Sequence, residues 1–108
     1  MINIINFPYN ACAVARVDNN NIVHNHIYHN CPVGRIEDNI IYDSGNYPIG
    51  RVNSDGVIHN HPIYNDPIGK VNEDGLVYKD KYLIGRIDGD TPLTAGAAYL
   101  LLIYKKIR

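Results

Sequence analysis

Four histidines in this 108-residue chain have a spacing that could support metal binding. His24 and His26 are two residues apart, and His59 and His61 repeat that spacing 35 residues later. Residues two apart on a β-strand point to the same face, so each pair would present two imidazoles together. Neutral imidazoles are good ligands for zinc, copper or nickel. We therefore identify these four histidines as candidate metal ligands.

A structural role is the alternative for the same positions. His24 and His59 align with Tyr42 and Tyr78 in neighbouring copies of a sequence repeat. This alignment indicates that the position requires a flat, amphipathic ring at the end of a strand. No cysteine or carboxylate recurs beside the histidines at a ligand spacing, so we expect no cofactor.

The repeat consists of a phrase of the form Pro-Ile-Gly-Arg-Val. It occurs in four clear copies and one degenerate earlier copy, at residues 13–17, 32–36, 48–52, 67–71 and 83–87. The Gly or Ala positions are separated by 19, 16, 19 and 16 residues, which gives 35-residue superrepeats at 15–49 and 50–84. One unit is too short to bury an apolar face, so neighbouring units must pack together.

Each phrase is followed by a polar turn and a second apolar phrase. Two turns contain Asp-Gly, a strong signal for a β-hairpin because Gly readily adopts the positive φ that the turn requires. Asn21 and Asn39 stand at the corresponding position in two other turns. The glycine within the phrase also permits a bulge, and a bulge at Gly50 would turn both Ile49 and Val52 towards the core.

These patterns predict an all-β fold of tandem β-hairpins over residues 1–89. The hairpins would form an antiparallel meander, open or curled towards a barrel. A β-solenoid with one coil per unit is the alternative.

Residues 90–108 differ from the repeats and predict one C-terminal α-helix. Thr91 and Pro92 are typical of an N-cap and a first helical residue, and the segment from Leu93 to Tyr104 is apolar on nearly all sides. A helix of this kind should be buried, so we expect it to pack on the repeats or cap the last one. Self-association through the helix and membrane association through residues 91–104 are the alternatives, although the apolar run is shorter than the about 20 residues that span a bilayer.

Charge and composition restrict the partners and the compartment. A net charge of -1 provides no broad field that would attract nucleic acid. The first residues lack the basic and apolar regions of a secretory signal, so we expect a cytoplasmic protein. Cys12 and Cys31 would then be reduced, buried thiols, and a disulfide bond between them is the alternative.

Basic residues and tyrosines recur in register with the repeat. Each unit contains one basic residue: Arg16, Arg35, Arg51, Lys70 and Arg86. We expect this row to pair with recurring carboxylates, and contact with an anionic polymer is the alternative. The nine tyrosines are expected to serve mainly in packing, with stacking on a glycan as the alternative.

The Ile-Gly-Arg-Val and Asp-Gly-x-Val-Tyr phrases within residues 49–58 and 68–78 resemble short tandem repeats of small uncharacterised bacterial proteins. Some of these proteins end in a segment similar to residues 96–102, so the resemblance covers nearly the whole chain. It implies β-hairpin repeats but no activity.

The function predicted from the sequence is a non-catalytic structural or interaction module. The chain has no phosphate-binding loop, Ser-His-Asp set or paired-carboxylate site, and each chemically interesting residue belongs to a repeated row. The expected partner is another protein or a second copy of the chain. Ligand binding, with metal through the histidines or glycan through the tyrosines, is the alternative.

Overall fold

The computed structural model describes residues 2–8 and 12–104. Ten antiparallel strands follow one another around a closed barrel: β1 (Ile2–Asn6), β2 (Cys12–Val17), β3 (Ile22–His24), β4 (Pro32–Glu37), β5 (Ile40–Asp43), β6 (Pro48–Val52), β7 (Val57–His59), β8 (Pro67–Val71), β9 (Leu76–Lys79) and β10 (Tyr82–Asp88). Each strand pairs with its sequence neighbours, and β1 pairs with β10 to close the barrel. The predicted all-β meander is confirmed in its curled form, and the solenoid alternative does not describe this topology.

Successive connections lie at opposite ends of the barrel because every strand pair is antiparallel. Short turns at residues 18–21, 38–39, 53–56 and 72–75 lie at one end, which we call the turn end. The connections at residues 25–31, 44–47, 60–66 and 80–81 lie at the other end, which we call the loop end.

Positive φ angles occur in the turns largely as the sequence predicts. Gly56 and Gly75 have φ of 90° and 87°, and Asn21 takes the same role with φ of 64°. The prediction for Asn39 is wrong, because the positive φ in that turn belongs to Asp38. Only two residues separate β4 from β5, so the tighter turn moves the left-handed residue one position earlier.

A one-residue register shift recurs in each strand that carries the repeat phrase. The unpaired residue is the one before the Gly or Ala: Val14, Val33, Ile49, Ile68 and Ile84. The bulge that we predicted at Gly50 is therefore present at the residue before it. Gly50 and Val52 are buried, and Ile49 packs partly buried against the same core.

The C-terminal helix lies inside the barrel. Helix α1 (Pro92–Ala98) begins at the turn end and continues as a π-helical turn, Tyr99–Tyr104. Every residue from Ala95 to Ile103 is buried. A helix that is apolar on all sides needs such burial, and a closed sheet offers its interior rather than an open face. Among the described residues, no helix combines the length and apolar character needed to cross a bilayer.

The repeat glycines make room for this internal helix. A Cβ atom added to Gly34, Gly50 or Gly69 would come within 2.6 Å of a leucine methyl group, and one added to Gly85 would come within 2.7 Å of an aromatic ring. The contacted residues are, in the same order, Leu102, Leu101, Leu100 and Tyr99. One hairpin around the barrel therefore corresponds to one residue along the helix.

The π-helical geometry suits this correspondence. Two strands of a ten-strand barrel span about 72° of its circumference. A π-helix turns less per residue than the about 100° of an α-helix, which brings consecutive side chains closer to that angle. Residues 99–102 thus face four successive repeat glycines.

Candidate functional site

Two long connections at the loop end share one conformation, and we call them histidine loop 1 (residues 25–31) and histidine loop 2 (residues 60–66). In the first loop, the Asn25 N–H donates to the Cys31 carbonyl at 2.9 Å. In the second, the Asn60 N–H donates to the Asp66 carbonyl at the same distance. The 35-residue spacing of the sequence therefore places the same hydrogen bond in both loops.

The second histidine of each pair organises its loop. Nδ1 of His26 accepts the backbone N–H groups of Tyr28 and His29, both at 3.0 Å. Nδ1 of His61 accepts the two corresponding N–H groups at 3.0 and 2.9 Å. The neutral ring therefore carries its proton on Nε2 and replaces the side-chain oxygen of an Asx turn.

His24 connects histidine loop 1 to a turn. Its side chain is buried, its Nδ1 accepts the Cys31 N–H at 3.1 Å, and its Nε2–H donates to Asp18 Oδ2 at 2.8 Å. Burial alone would raise the pKa of Asp18. Hydrogen bonds from His24 and from the backbone N–H groups of Ile22 and Asn20, together with the electrostatic attraction of the His24 ring, lower this pKa below its ordinary 3.8.

His59 has the same role in the second loop with a different partner. It is buried, and its Nδ1 accepts the Asp66 N–H at 2.9 Å. Nε2 lies 3.0 Å from the amide nitrogen of Asn53. Because Nδ1 already accepts a hydrogen bond, Nε2 carries the proton, so the Asn53 amide must be turned by 180° for its oxygen to accept that proton.

An arginine holds each loop against the outer wall of the barrel, and Arg16 is buried whereas Arg51 is half-buried. Nη1 of Arg16 donates to the carbonyls of His26 and His29 at 2.7 and 2.9 Å, and Nη2 donates to Asn30 Oδ1 at 3.0 Å. Arg51 makes the same three contacts with histidine loop 2, at 2.9, 2.9 and 2.7 Å. We predicted carboxylate partners for these arginines, and that prediction is wrong. Neutral oxygens of the loops take the guanidinium donors instead.

The rest of the basic row contacts mainly neutral groups. Arg35 lies 3.9 Å from the centre of the Tyr42 ring and donates to Asn46 Oδ1 at 2.8 Å. Its 3.6 Å contact with Glu37 is the one ion pair of the row within residues 2–8 and 12–104. The arginines of this row are therefore largely committed to the barrel's own structure.

The strand register explains why histidine and tyrosine alternate at one repeat position. Each of these rings lies opposite the basic residue of the preceding strand, in the pairs Arg16–His24, Arg35–Tyr42, Arg51–His59 and Lys70–Tyr78. A flat ring beside a long cation covers the stem of that cation and accepts or donates hydrogen bonds at its edge. This geometry agrees with the structural role that the alignment indicated.

The four candidate metal ligands use their nitrogens within the protein. Both ring nitrogens of His24 and of His59 face hydrogen-bonding groups, and Nδ1 of His26 and of His61 each accepts two N–H groups. In the part of the chain that the structure describes, no three His, Cys, Asp or Glu residues form a group that could hold a metal ion. Metal binding at these positions stays an untested prediction.

The two cysteines do not have the predicted burial. Cys12 begins β2 and Cys31 immediately precedes β4, and both are exposed. The aligned position lies at the loop end of the strands, outside the interior that the helix fills. Small size and apolar character were therefore an insufficient reason to predict burial.

The most exposed large hydrophobic side chains gather at the loop end. They are 70% to 80% exposed, and we call them the aromatic rim: Tyr28, Tyr47, Ile63, Tyr64 and Tyr82. The sequence analysis expected tyrosines to pack and did not single out these five residues. Four of them lie in connections rich in Asn, Pro, Ser and Gly, and this local composition would have distinguished them from strand tyrosines such as Tyr42.

The connection that bears Tyr47 is also held by side-chain hydrogen bonds. Oδ1 of Asp43 accepts the N–H groups of Gly45 and Tyr47 at 2.9 and 3.0 Å. The Asp43 N–H also donates to the Tyr47 carbonyl at 2.9 Å. A carboxylate here does what the imidazoles of His26 and His61 do in the histidine loops.

Comparison of the chain with protein-family models, curated proteins and solved structures finds no match. The resemblance to bacterial tandem-repeat proteins stays a prediction. The two histidine loops and the aromatic rim are the features from which a function can be inferred.

Proposed function

We propose that this protein is a non-catalytic interaction module that binds a macromolecular partner through the aromatic rim. The observation that carries the proposal is the position of the five rim residues, all at one end of the barrel. Exposed apolar side chains gathered in one region are typical of interaction sites. Tyrosine is enriched at such sites because it provides a large, rigid contact area with a polar tip.

The barrel gives these residues a firm support. The histidine loops are held by Arg16 and Arg51 and by their own imidazoles, and Asp43 holds the connection that bears Tyr47. Loops that a rigid scaffold positions commonly carry binding functions. A preorganised loop loses less conformational entropy on binding, which favours affinity.

The two histidine loops differ where they would meet a partner. Six supporting positions are identical in the two copies: residues 16 and 51, 24 and 59, 25 and 60, 26 and 61, 30 and 65, and 32 and 67. Four other positions all differ: residues 27 and 62, 28 and 63, 29 and 64, and 31 and 66. A constant frame with different exposed residues resembles the division of roles in antibody binding loops.

The contacts of the histidine nitrogens favour a non-catalytic role. The histidines are the groups best suited to acid–base chemistry, and their nitrogens hold the loops together. Glycan binding is the second candidate, and the four tyrosines of the rim favour it because their rings can stack on sugars.

The test exposes the protein to a displayed random-peptide library and to a glycan array. A rim variant carries Tyr28→Ser, Ile63→Ser and Tyr64→Ser. A control variant carries Ile40→Thr and Val57→Thr, which remove half-buried apolar area from the outer wall. We expect selected ligands to lose at least tenfold in affinity for the rim variant and to bind the control variant like the original protein.

Two results would contradict the proposal. One is that neither peptides nor glycans bind at micromolar concentration. The other is that the selected ligands bind the rim variant and the original protein equally well. Peptide ligands alone would favour a protein partner, and glycan ligands alone would favour the second candidate.

A further inference from the structure

The basic residue of the repeat has different neighbours in alternate units. Arg16 and Arg51 are each covered by a seven-residue histidine loop, at residues 25–31 and 60–66. Arg35 stands at the same repeat position in the unit between them, but the connection that follows has only four residues, 44–47. A connection three residues shorter covers less of the outer wall, and it leaves the guanidinium of Arg35 partly open.

The asparagine of the histidine loops is retained beside Arg35. Each histidine loop has an asparagine two residues before the proline of the next strand, and its side-chain oxygen accepts a hydrogen bond from the arginine. Asn46 stands at the same place before Pro48, and its Oδ1 accepts from Arg35 Nε at 2.8 Å. The side-chain acceptor is therefore present in all three units.

The two main-chain acceptors of the histidine loops have no counterpart beside Arg35. In histidine loop 1, Nη1 of the arginine donates to two carbonyls three residues apart, those of His26 and His29. Nη1 of Arg35 has instead a 3.6 Å contact with the exposed Glu37, which is too long for a hydrogen bond. Within residues 2–8 and 12–104, no acceptor is hydrogen-bonded to Nη1 or Nη2 of Arg35. A guanidinium has five N–H donors, so most of those of Arg35 are left to solvent.

A hollow of about 200 Å³ lies beside this guanidinium. Ser44 and Asn46 from the short connection form its wall together with Arg35. The guanidinium lies 3.9 Å from the centre of the Tyr42 ring, and this stacking holds it in place before a ligand arrives. A hollow of about 340 Å³ also lies beside Lys70, where the following connection has only two residues. A hollow therefore accompanies the basic residue in both units that lack a histidine loop.

The charges around the Arg35 hollow favour a neutral ligand. Asp43 lines the hollow and Glu37 approaches the guanidinium, so two carboxylates accompany one cation. A carboxylate ligand would meet like charges, which is unfavourable. Neutral carbonyl oxygens are also the partners that Arg16 and Arg51 accept in the two histidine loops.

We propose that the Arg35 hollow binds a tight turn of a peptide, whose main-chain carbonyls replace the two acceptors that the short connection lacks. The turn would present two carbonyls three residues apart, as His61 and Tyr64 do for Arg51. This site lies outside the aromatic rim and goes beyond the proposed function, because binding at one does not require binding at the other. The hollow is small, so we expect a dissociation constant of about 1 mM.

The probe for this site is a copy of histidine loop 2. A cyclic peptide contains residues 60–66 and is closed head to tail through two added glycines. This closure suits the loop because the Asn60 N–H and the Asp66 carbonyl already meet at 2.9 Å in the protein. The peptide is added to the ¹⁵N-labelled protein up to about 5 mM, well above the expected dissociation constant. We expect saturable nuclear magnetic resonance shifts at the Arg35 Nε–H and at the backbone N–H groups of residues 44–46.

Two variants, each with a matched control, test the site. Arg35→Lys keeps the charge but removes the planar set of donors, so it should weaken binding at least fivefold. Arg86→Lys is its control, because Arg86 is also half-buried at the same repeat position, and it should bind like the original protein. Ser44→Leu fills the hollow from an exposed position and should also weaken binding, whereas Ser54→Leu in an exposed turn should not. Circular dichroism confirms that each variant is folded.

The absence of saturable shifts, or equal binding by Arg35→Lys and the original protein, overturns the proposal. Acetate serves as an anionic probe. If acetate binds at Arg35 more tightly than the peptide does, the ligand is a carboxylate and the choice of neutral carbonyls is wrong. A peptide with His61→Ala lacks the imidazole that orders the turn, so equal binding of this peptide would also overturn the proposal. None of these outcomes involves the rim variant, so the proposed function stands or fails separately.

Discussion

The substitution of repeat glycines by alanine tests the fit between the barrel wall and its internal helix. A Cβ at Gly50 would lie 2.5 Å from the backbone oxygen of His59 and 2.6 Å from a Leu101 methyl group. A Cβ at Gly85 would lie 2.7 Å from the Tyr99 ring, but its nearest backbone neighbour is 3.1 Å away. Gly50→Ala must therefore displace a neighbouring strand, whereas Gly85→Ala must displace mainly one ring.

These distances set the expected free energies. An added methyl group in a packed core typically costs about 1–3 kcal/mol, and we expect Gly85→Ala to cost about 1–2 kcal/mol. Gly50→Ala should cost about 3 kcal/mol or more, because backbone atoms are less free to move than a ring. Whole domains are typically stable by about 5–15 kcal/mol, so both variants should fold at 25 °C.

A double-mutant cycle separates the two contacts. Tyr99→Leu removes the ring near Gly85, so Gly85→Ala should cost about 1 kcal/mol less in that background. Leu101→Val withdraws the methyl groups near Gly50, but the His59 oxygen remains, so Gly50→Ala should keep most of its cost. The free energy of unfolding is measured by urea denaturation followed by circular dichroism. The reasoning would be refuted if Gly50→Ala costs less than about 0.5 kcal/mol. It would also be refuted if Leu101→Val lowers the cost of Gly50→Ala as much as Tyr99→Leu lowers the cost of Gly85→Ala.

Three further predictions concern the loops and the ionisable groups. His61→Asn should preserve histidine loop 2, because its amide oxygen can accept the N–H groups of Ile63 and Tyr64 much as the Asp43 carboxylate accepts two N–H groups of its own connection. His61→Ala should cost about 1–2 kcal/mol and speed hydrogen exchange at Ile63 and Tyr64, and equal exchange in both variants would contradict this role. The pKa of Asp18 is lowered in the folded state, so its contribution to stability is present above about pH 4 and is lost as the pH falls further; urea denaturation between pH 5 and pH 2 should show a smaller loss for Asp18→Asn than for the original protein. Burial, with the nearby Tyr104, raises the pKa of Tyr99 above 10.0, so the contribution of Tyr99 to the free energy of unfolding is present below pH 10 and is lost at higher pH. The Tyr99→Phe variant should therefore lose less stability than the original protein between pH 9 and pH 11.

The hairpins could be predicted because their signals are local. A turn between Asn72 and Gly75 requires a positive φ that glycine readily supplies, and the sequence contains that residue at the required place. The bulge beside Gly50 was predictable for the same reason, within one residue. Local geometry of this kind depends on neighbouring residues only, so one sequence is sufficient to indicate it.

Closure of the sheet and the place of the helix were less accessible. Whether ten strands close depends on their shared tilt and register, which no single hairpin encodes. The glycine in each phrase was interpreted as a point of backbone flexibility. The structure shows that it also provides space, since Gly69 contacts Leu100, a residue about 30 positions further along the chain.

In the candidate site, too, some features could be predicted from local sequence and others depend on distant residues. The spacing of the histidines correctly indicated that His24 and His59 are equivalent, as are His26 and His61. Their chemistry could not be predicted from residue type, because an imidazole that binds metal and one that accepts a backbone N–H look identical in a sequence. The loop backbone decides between the two, and that backbone depends in turn on Arg16 and Arg51 from distant strands.

The match of one helical residue to each hairpin has a consequence for how this protein can evolve. Open tandem-repeat proteins gain or lose units readily, because every unit meets only its neighbours. Here residues 99–102 are shared by the units around them, and each supplies the side chain that fills the space left by one glycine. A duplicated hairpin would widen the ring without adding a side chain to its centre, and a deleted hairpin would leave one side chain with no glycine to face. The internal helix therefore fixes the number of repeats.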